Sequence, residues 1–372
     1  MGQCRGAIHR ALVWLPWNVK IKKMDILKNN SPIDRRSFVM ISGMMGLGLA
    51  LDSIIHPAAE AFSLRKVPHE MSGTRLVMGT IVSMTLISTS REMAGEAMAR
   101  AYDEVNRLSA LMDRFDERSP VARLNMDGIL KNAHPDIIEV IYSALKYYSM
   151  TGGAFDITVK PVIDLFTRKF SSGREEYPSE NEIAAARALI GSDKIEINGR
   201  DISLIKPGMG ITLDGIAKGY IVDRASRILL NHGIDNHLVN AGGDIKAMGV
   251  RADGRPWRVA IQDPMKNGRY LDRIYLTNIA VATSGNYENY FDRDKIFHHI
   301  VNPKTGRSPV LNISASVIAP TAMEADALAT SLMVMDSRDG LGLIDSLPNR
   351  EALVVSRTNQ ITRSSGWKAF TS

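Results

Sequence analysis

Asp326 and Thr330 stand four residues apart in "MEADALATSL", surrounded by alanines and leucines. At that spacing a carboxylate and a hydroxyl share one face of a helix, and two hard oxygen donors so placed suit a magnesium ion. Local capping by Asp326, with Thr330 as filler, fits the same spacing. "HHIVNPKTGRSP" sets His298 and His299 before an Asn-Pro turn. An imidazole held at a strand end beside a rigid turn can serve as general base near neutral pH, and strand alternation turns the two rings to opposite faces, so at most one works. In "ITLDGIAKGYIVD", Asp214 and Gly215 join a strand to a helix whose first amides favour an anion, with Lys218 one turn inside. "TGGAFDITVKP" places Ala154, Phe155 and Asp156 after two glycines. An aromatic face and a carboxylate there can hold a ring and a hydroxyl, or the glycines simply end a helix. "LVNAGGDI" contains a Gly-Gly turn where backbone can approach a ligand, although a plain tight turn reads the same way.

These residues need elements to position them. "RLVMGTIVSMTLIS" reads as one strand with Val77, Gly79, Ile81 and Ser83 on one face. A helix is predicted over 92–112 and a second over 136–150, the latter stopped by Thr151, Gly152 and Gly153. Ser179 and Glu182 have capping-box spacing for a third helix. "IEINGRDISLI" is a hairpin signal centred on Asn198 and Gly199, and a helix over 215–231 closes at Gly233. Strands follow in "HLVNAGGDIKAMGV", "WRVAIQ", "RIYLTNIAVAT" and "NISASVIA", then a helix over 321–335 and a last strand, "ALVVS". Helices and strands interleave while Asn-Gly and Gly-Gly turns join neighbouring strands. That favours a mixed α/β fold over a purely parallel one, as a single catalytic unit over 62–372.

Composition sets the outer bounds. A chain of 372 residues that is 45% hydrophobic can bury a sizeable core. Residues 1–61 carry most of the net charge of +6, with 8 Lys and Arg against 4 Asp and Glu; beyond them 38 Lys and Arg face 36 Asp and Glu, a balance that argues against a nucleic-acid partner. Cys4 is the only cysteine, which excludes an internal disulfide and a thiolate metal site. "DRRSFVMISGMMGLGLAL" puts Arg35 and Arg36 before an apolar run of about 13 residues, too short for a convincing membrane span, and it resembles a twin-arginine export signal. "PAAEAF" offers Ala59 and Ala61 to a signal peptidase, so cleavage is expected after Ala61 and the protein is expected in the periplasm. An uncleaved anchor is the alternative. No cysteine follows the run, so no lipid anchor is expected, and translation starting at Met24 would remove an n-region unusual for a signal.

From about Met78 to Met335 the chain resembles the ApbE-like FAD:protein FMN transferase family. The resemblance rests on "MGT", "TGGAFDITVKP", "LDGIAKGYIVD", "NAGGDI", "WRVAIQDP", "VATSGNYE", "HHIVNPKTG" and "EADALATSL", in that order. It implies a T-fold-related flavin transferase fold, a mixed sheet with flanking helices. It also implies an enzyme that uses FAD and Mg2+ to attach FMN through a phosphoester to a Thr or Ser of a partner protein, releasing AMP. Asp326 and Thr330 match the family's metal pair, with the Gly215 carbonyl as the third protein ligand. His299 matches the base. Met78, Ala154, Phe155, Asp156, Thr212, Lys218 and Ile300 fall on FAD-contacting positions, the apolar ones lining the rings. The implied client is a periplasm-facing domain of a membrane redox protein. Three positions depart from the family: Thr212 and Asn302 stand where Asp is frequent, and Gly215 where Ala or Ser is common. The Asn302 departure puts in doubt whether a carboxylate orients His299.

Two other readings keep parts of this site. An FAD pyrophosphatase would use the same metal with water as acceptor. A flavin-carrying protein would keep the pocket but need neither Asp326, Thr330 nor His299.

Overall fold

The computed structural model describes residues 68–170, 176–265, 268–286, 290–292 and 296–371. The leader expected over 1–61 lies outside them.

An eight-stranded sheet organises the molecule. Its strands are β1 (His69–Val77), β2 (Thr80–Ser88), β6 (Asn236–Ala241), β7 (Asp244–Met248), β10 (Ile279–Gly285), β11 (Asn312–Ala319), β12 (Glu351–Ser356) and β13 (Ile361–Arg363), in that spatial order. Each neighbouring pair runs antiparallel. A small sheet orders β3 (Ile129–Leu130), β5 (Asp201–Leu204) and β4 (Ile195–Asn198), and β8 (Trp257–Gln262) pairs with β9 (Tyr270–Leu276). The helices are α1 (Arg91–Met112), α2 (Pro120–Asp127), α3 (Pro135–Met150), α4 (Lys160–Phe170), α5 (Glu180–Arg187), α6 (Ala217–Asn231), α7 (Ala322–Val334) and α8 (Ser337–Asp345). The mixed α/β fold is as expected.

Side-chain alternation along the strands builds two cores. Ala280, Ala282, Ala315, Val317 and Ala319 join one cluster with α1, α6 and α7, whereas Val281 and Ile318 join Trp257, Ile274 and Trp367 on the opposite face. Alanine dominates where α7 lies on β10 and β11, and small side chains let that helix lie close to the strands. A third cluster, with Phe166, Phe170, Phe297 and Val301, holds α4 and α5 together.

The expected single strand through residue 79 is two strands. Met78 (φ 56°) and Gly79 (φ 67°) are both left-handed, which makes a type I′ turn between β1 and β2 with Val77 opposite Thr80. A methionine gives no turn signal, so the alternating pattern ran straight through. "RIYLTNIAVAT" divides likewise at Asn278 (φ 55°) into β9 and β10. In the β4–β5 hairpin the central residues are Gly199 and Arg200, one position later than expected, because Asn198 pairs with Asp201. At the start of α1, Met93 is exposed and Ala94 buried, so the apolar face begins at Ala94. The 215–231 helix begins at Ala217, which leaves Gly215 in the loop before it.

Candidate active site at one end of the large sheet

The first turns of α6 and α7 meet closely, and Gly219 allows it. A Cβ there would run into the Ala322 carbonyl and come within 2.7 Å of the Met323 Cα. From the next turn of α6, Asp223 accepts the Ala322 and Met323 N–H groups, each at 2.9 Å, so a carboxylate of one helix caps the next. The Thr321 hydroxyl accepts the Glu324 N–H at 3.2 Å. Burial pushes the Asp223 carboxyl up in pKa, against those two hydrogen bonds.

This junction fixes Asp326 and Thr330. Asp326 is buried, and its Oδ2 accepts the Gly219 N–H at 3.1 Å. Thr330 lies one turn further along α7, its Oγ1 3.2 Å from the Ser284 hydroxyl of β10. Gly215 packs against it: a Cβ at 215 would stand 2.9 Å from the Thr330 Oγ1. The structure therefore brings Gly215, Asp326 and Thr330 to one wall; spacing alone put Asp326 and Thr330 on one helix face, and the family resemblance added Gly215. Lys218 reaches Asp244, the first residue of β7, with 3.2 Å from Nζ to Oδ1. Burial, and then the charge of Asp326, push the Asp244 carboxyl well above the carboxylate range despite Lys218. Asp326 is also raised, chiefly by burial.

Sequence reasoning read Gly242 and Gly243 as a turn, plain or with backbone open to a ligand, and passed over Asp244 and Ser284. An acid directly after two glycines at the start of a strand was the available signal. That turn lies beside the Met78–Gly79 turn: the Gly242 N–H bonds the Ile81 carbonyl at 3.1 Å, and a Cβ on Gly242 would strike Thr80. Met78 is half-buried beside this sheet end.

Two loops complete the region. Ala154, Phe155 and Asp156 follow α3 through Gly152 (φ 59°) and Gly153 (φ 79°). The expectation that Phe155 and Ile300 line a ring with their side chains is corrected here. Phe155 is buried edge-on against Tyr147 at 6.3 Å, and Ile300 is buried in the main core, so little but backbone remains for a ligand. The Asp156 carboxylate is engaged internally, accepting from Thr158 N (2.8 Å), Thr158 Oγ1 (2.6 Å), Ser192 Oγ (2.7 Å) and Ser192 N (3.2 Å). It organises the loop, and burial raises its pKa. Thr212, buried, donates its N–H to the Ile157 carbonyl at 2.7 Å, and its hydroxyl accepts the Asp214 N–H at 3.3 Å.

Asp214 connects the loops to the metal-pair wall. Crowding by protein pushes its carboxyl up, but the Arg114 guanidinium at 3.0 Å, with help from Thr212 and the His299 ring, carries it below the usual range. Its negative charge is also felt at Asp326. Asp214 therefore lies within electrostatic reach of both the candidate base and Asp326 of the metal pair. Asn302, by contrast, is occupied in its turn, accepting the Lys304 N–H at 2.9 Å. The two histidines are not on a strand, His298 making only an isolated bridge to Tyr290, and their rings lie 6.3 Å apart edge to face; they differ in burial, not in face. His298 is buried; its Nε2–H donates to the Pro309 carbonyl at 3.1 Å, and burial lowers its pKa to about 4. His299 is half-buried. A hollow of about 610 Å³ beside Arg107, Arg118 and His134 includes none of these residues, and its arginines are paired with Glu104, Asp136 and Asp116.

The donor set fits a hard divalent cation. Among the described residues no three of His, Cys, Asp and Glu gather at one point. What gathers are two buried carboxylates and a hydroxyl, with the Gly215 backbone packed against that hydroxyl.

Residues 78–354 match the ApbE family. The FAD:protein FMN transferase of Vibrio cholerae is 34% identical over 253 residues, covering 66% of this chain and 75% of that protein. The FAD:protein FMN transferase of Haemophilus influenzae is 29% identical over 340 residues, 88% of this chain and 96% of that one. Among solved structures, the ApbE protein of Thermotoga maritima superposes with a TM-score of 0.74 at 31% identity, covering 82% of this chain and 100% of its own. The flavin transferase ApbE of Vibrio cholerae superposes with a TM-score of 0.69 at 29% identity, covering 82% and 99%.

Proposed function

The chain belongs to the ApbE family, and from that premise we propose that it is an FAD:protein FMN transferase acting on a Ser or Thr hydroxyl of a partner protein. The observation that carries this is the wall on which Asp326, Thr330 and Gly215 meet, with Asp214 within electrostatic reach of both His299 and Asp326. A base and a cation-binding wall thereby share one short stretch of chain.

The division of labour follows from the residues. His299 takes the proton of the acceptor hydroxyl, whose oxygen forms a bond to the FMN phosphorus of FAD while the bond from that phosphorus to the AMP oxygen breaks. Asp214 stabilises the imidazolium that results. Asp326, Thr330 and the Gly215 carbonyl would hold magnesium, which when bound supplies positive charge to the pyrophosphate oxygens. Ser284 fixes the Thr330 hydroxyl, and the Gly219 N–H fixes one oxygen of Asp326, so the wall is organised before ligand arrives. Buried His298 has no route to a substrate and serves the loop.

Arg35 and Arg36 ahead of the apolar run support export by the twin-arginine route and a periplasmic client, such as a periplasm-facing domain of a membrane redox protein. Folding before export would load FAD in the cytoplasm, and flavin-free protein recovered from periplasm would count against that.

The test is intact-mass analysis of a client peptide with a Ser/Thr-Gly-Ala-Thr acceptor, incubated with the full chain, FAD and magnesium. The expected result is a gain of one FMN residue, abolished by chelator or by His299→Ala. FAD split to FMN and AMP with no gain on the peptide would convert the reading to a pyrophosphatase. FAD retained intact would leave a flavin carrier.

A further inference from the structure

Asp244 is wholly buried at the start of β7, directly after the Gly242–Gly243 turn. Neither of its carboxylate oxygens has a hydrogen-bond partner among the described residues. The Lys218 ammonium stands 3.2 Å from Oδ1 as an ion-pair neighbour, without the alignment of a hydrogen bond. Its other neighbour is the Asp326 carboxylate, close enough to bond if a proton lay between them. Two ionised carboxylates are both acceptors, so each leaves the other unsatisfied and repels it. Asp326 at least receives the Gly219 N–H; Asp244 receives nothing comparable.

A buried acid with no aligned hydrogen-bond donor on either oxygen and a single ammonium beside one of them, facing a second acid that is already a metal-ligand candidate, has the environment of a cation ligand. We propose that Asp244 is a further carboxylate ligand of the divalent cation held by Asp326, Thr330 and Gly215, closing the site from β7 as well as from α7. This rests on the magnesium reading above and extends it. The Gly242–Gly243 turn then has a purpose beyond reversal: it delivers Asp244 to the same sheet end as the Met78 turn.

Mn2+, a spectroscopic substitute for magnesium, would be titrated into the full chain with FAD present and followed by loss of the free-ion paramagnetic resonance signal. Asp244→Asn is expected to weaken Mn2+ binding at least ~10-fold, a loss of the size that removing a metal-site partner produces. Its metal-free melting temperature is expected to hold or rise, because the Asn amide can donate to Asp326 and one like charge is gone. Mn2+ affinity of Asp244→Asn within about twofold of wild type would overturn the proposal and leave Asp244 as a group that only shares a proton with Asp326. Should Asp244→Asn fail to fold, Asp244→Ser is read against the same threshold. Asp326→Asn separates the two readings: if it loses Mn2+ while Asp244→Asn does not, only the Asp244 assignment falls. If wild type itself takes up no Mn2+, the magnesium reading falls with it.

Discussion

A carboxylate and a hydroxyl at one helical turn's spacing were legible as a pair, and the fold gives that pair its surroundings. Asp326→Asn keeps an acceptor for the Gly219 N–H but removes the negative charge this side chain offers to a cation. FMN transfer is expected to fall by at least ~100-fold, since direct ligands matter more than the outer partners whose loss costs 10–100-fold. The melting temperature should change by only a few degrees; a large drop would mark the pair as structural. The histidines give the opposite contrast. His299→Ala should abolish transfer and leave stability nearly unchanged. His298→Ala should lower stability by about 2 kcal/mol, because it removes a buried ring and its bond to the Pro309 carbonyl. Both are read by denaturant titration beside the transfer assay, and equal stability losses would defeat the assignment. Asp244 was not legible as a ligand, because nothing local says that an acid after two glycines points inward at an acid about 80 residues later. Phe155 was legible as important but its role was misplaced: aromatic and apolar, it went to the core.

At the scale of elements, the wall depends on how closely α6 and α7 approach. Gly219→Ala puts a methyl against backbone, at the Ala322 carbonyl and Met323 Cα, where no rotamer can relieve it. The helices must part, with a stability loss of about 3 kcal/mol and a displaced Gly219 N–H to Asp326. A drop in melting temperature accompanied by weakened metal binding is the expected pair of results; unchanged stability would show that the helix crossing is looser than described. Helices with strong local signals were readable: α5 carries both halves of its capping box, Ser179 N to Glu182 Oε2 at 2.8 Å and Glu182 N to Ser179 Oγ at 3.3 Å. α2 was not assigned although Ser119 and Pro120 announce it, the Ser119 hydroxyl accepting the Ala122 N–H at 3.0 Å. The β1–β2 turn was hidden for a physical reason. Met78 takes a left-handed conformation that costs an L-residue roughly 1–2 kcal/mol, so tertiary contacts must impose it.

The whole molecule adds what no window of sequence contains: β2 pairs with β6 across everything from residue 89 to 235, and that pairing puts the Met78 and Gly242 turns side by side. It also buries titratable groups, and from these a pH dependence follows. His237 is buried, its Nδ1–H donating to the Ile234 carbonyl and its Nε2 accepting from the Ser226 hydroxyl, both at 2.7 Å. Burial lowers the pKa of His237 to about 4, as it does for His298. An unfolded histidine titrates near 6.5, so the folded state binds the proton less well than the unfolded chain. The stability contribution is therefore complete above pH 6.5 and lost as pH falls toward 4, about 2 kcal/mol for each histidine by pH 5. Buried Asp223 and Asp156, raised by burial, act in the opposite sense, their destabilising ionisation receding as pH falls. The histidine contribution is thus isolated by difference. Urea unfolding of wild type and His237→Gln at pH 7.5 and pH 5 should show a pH dependence shallower in the variant by about 2 kcal/mol. Parallel dependences would mean that His237 already carries its proton in the fold, and the acid sensitivity would then have to lie with His298 and the carboxylates.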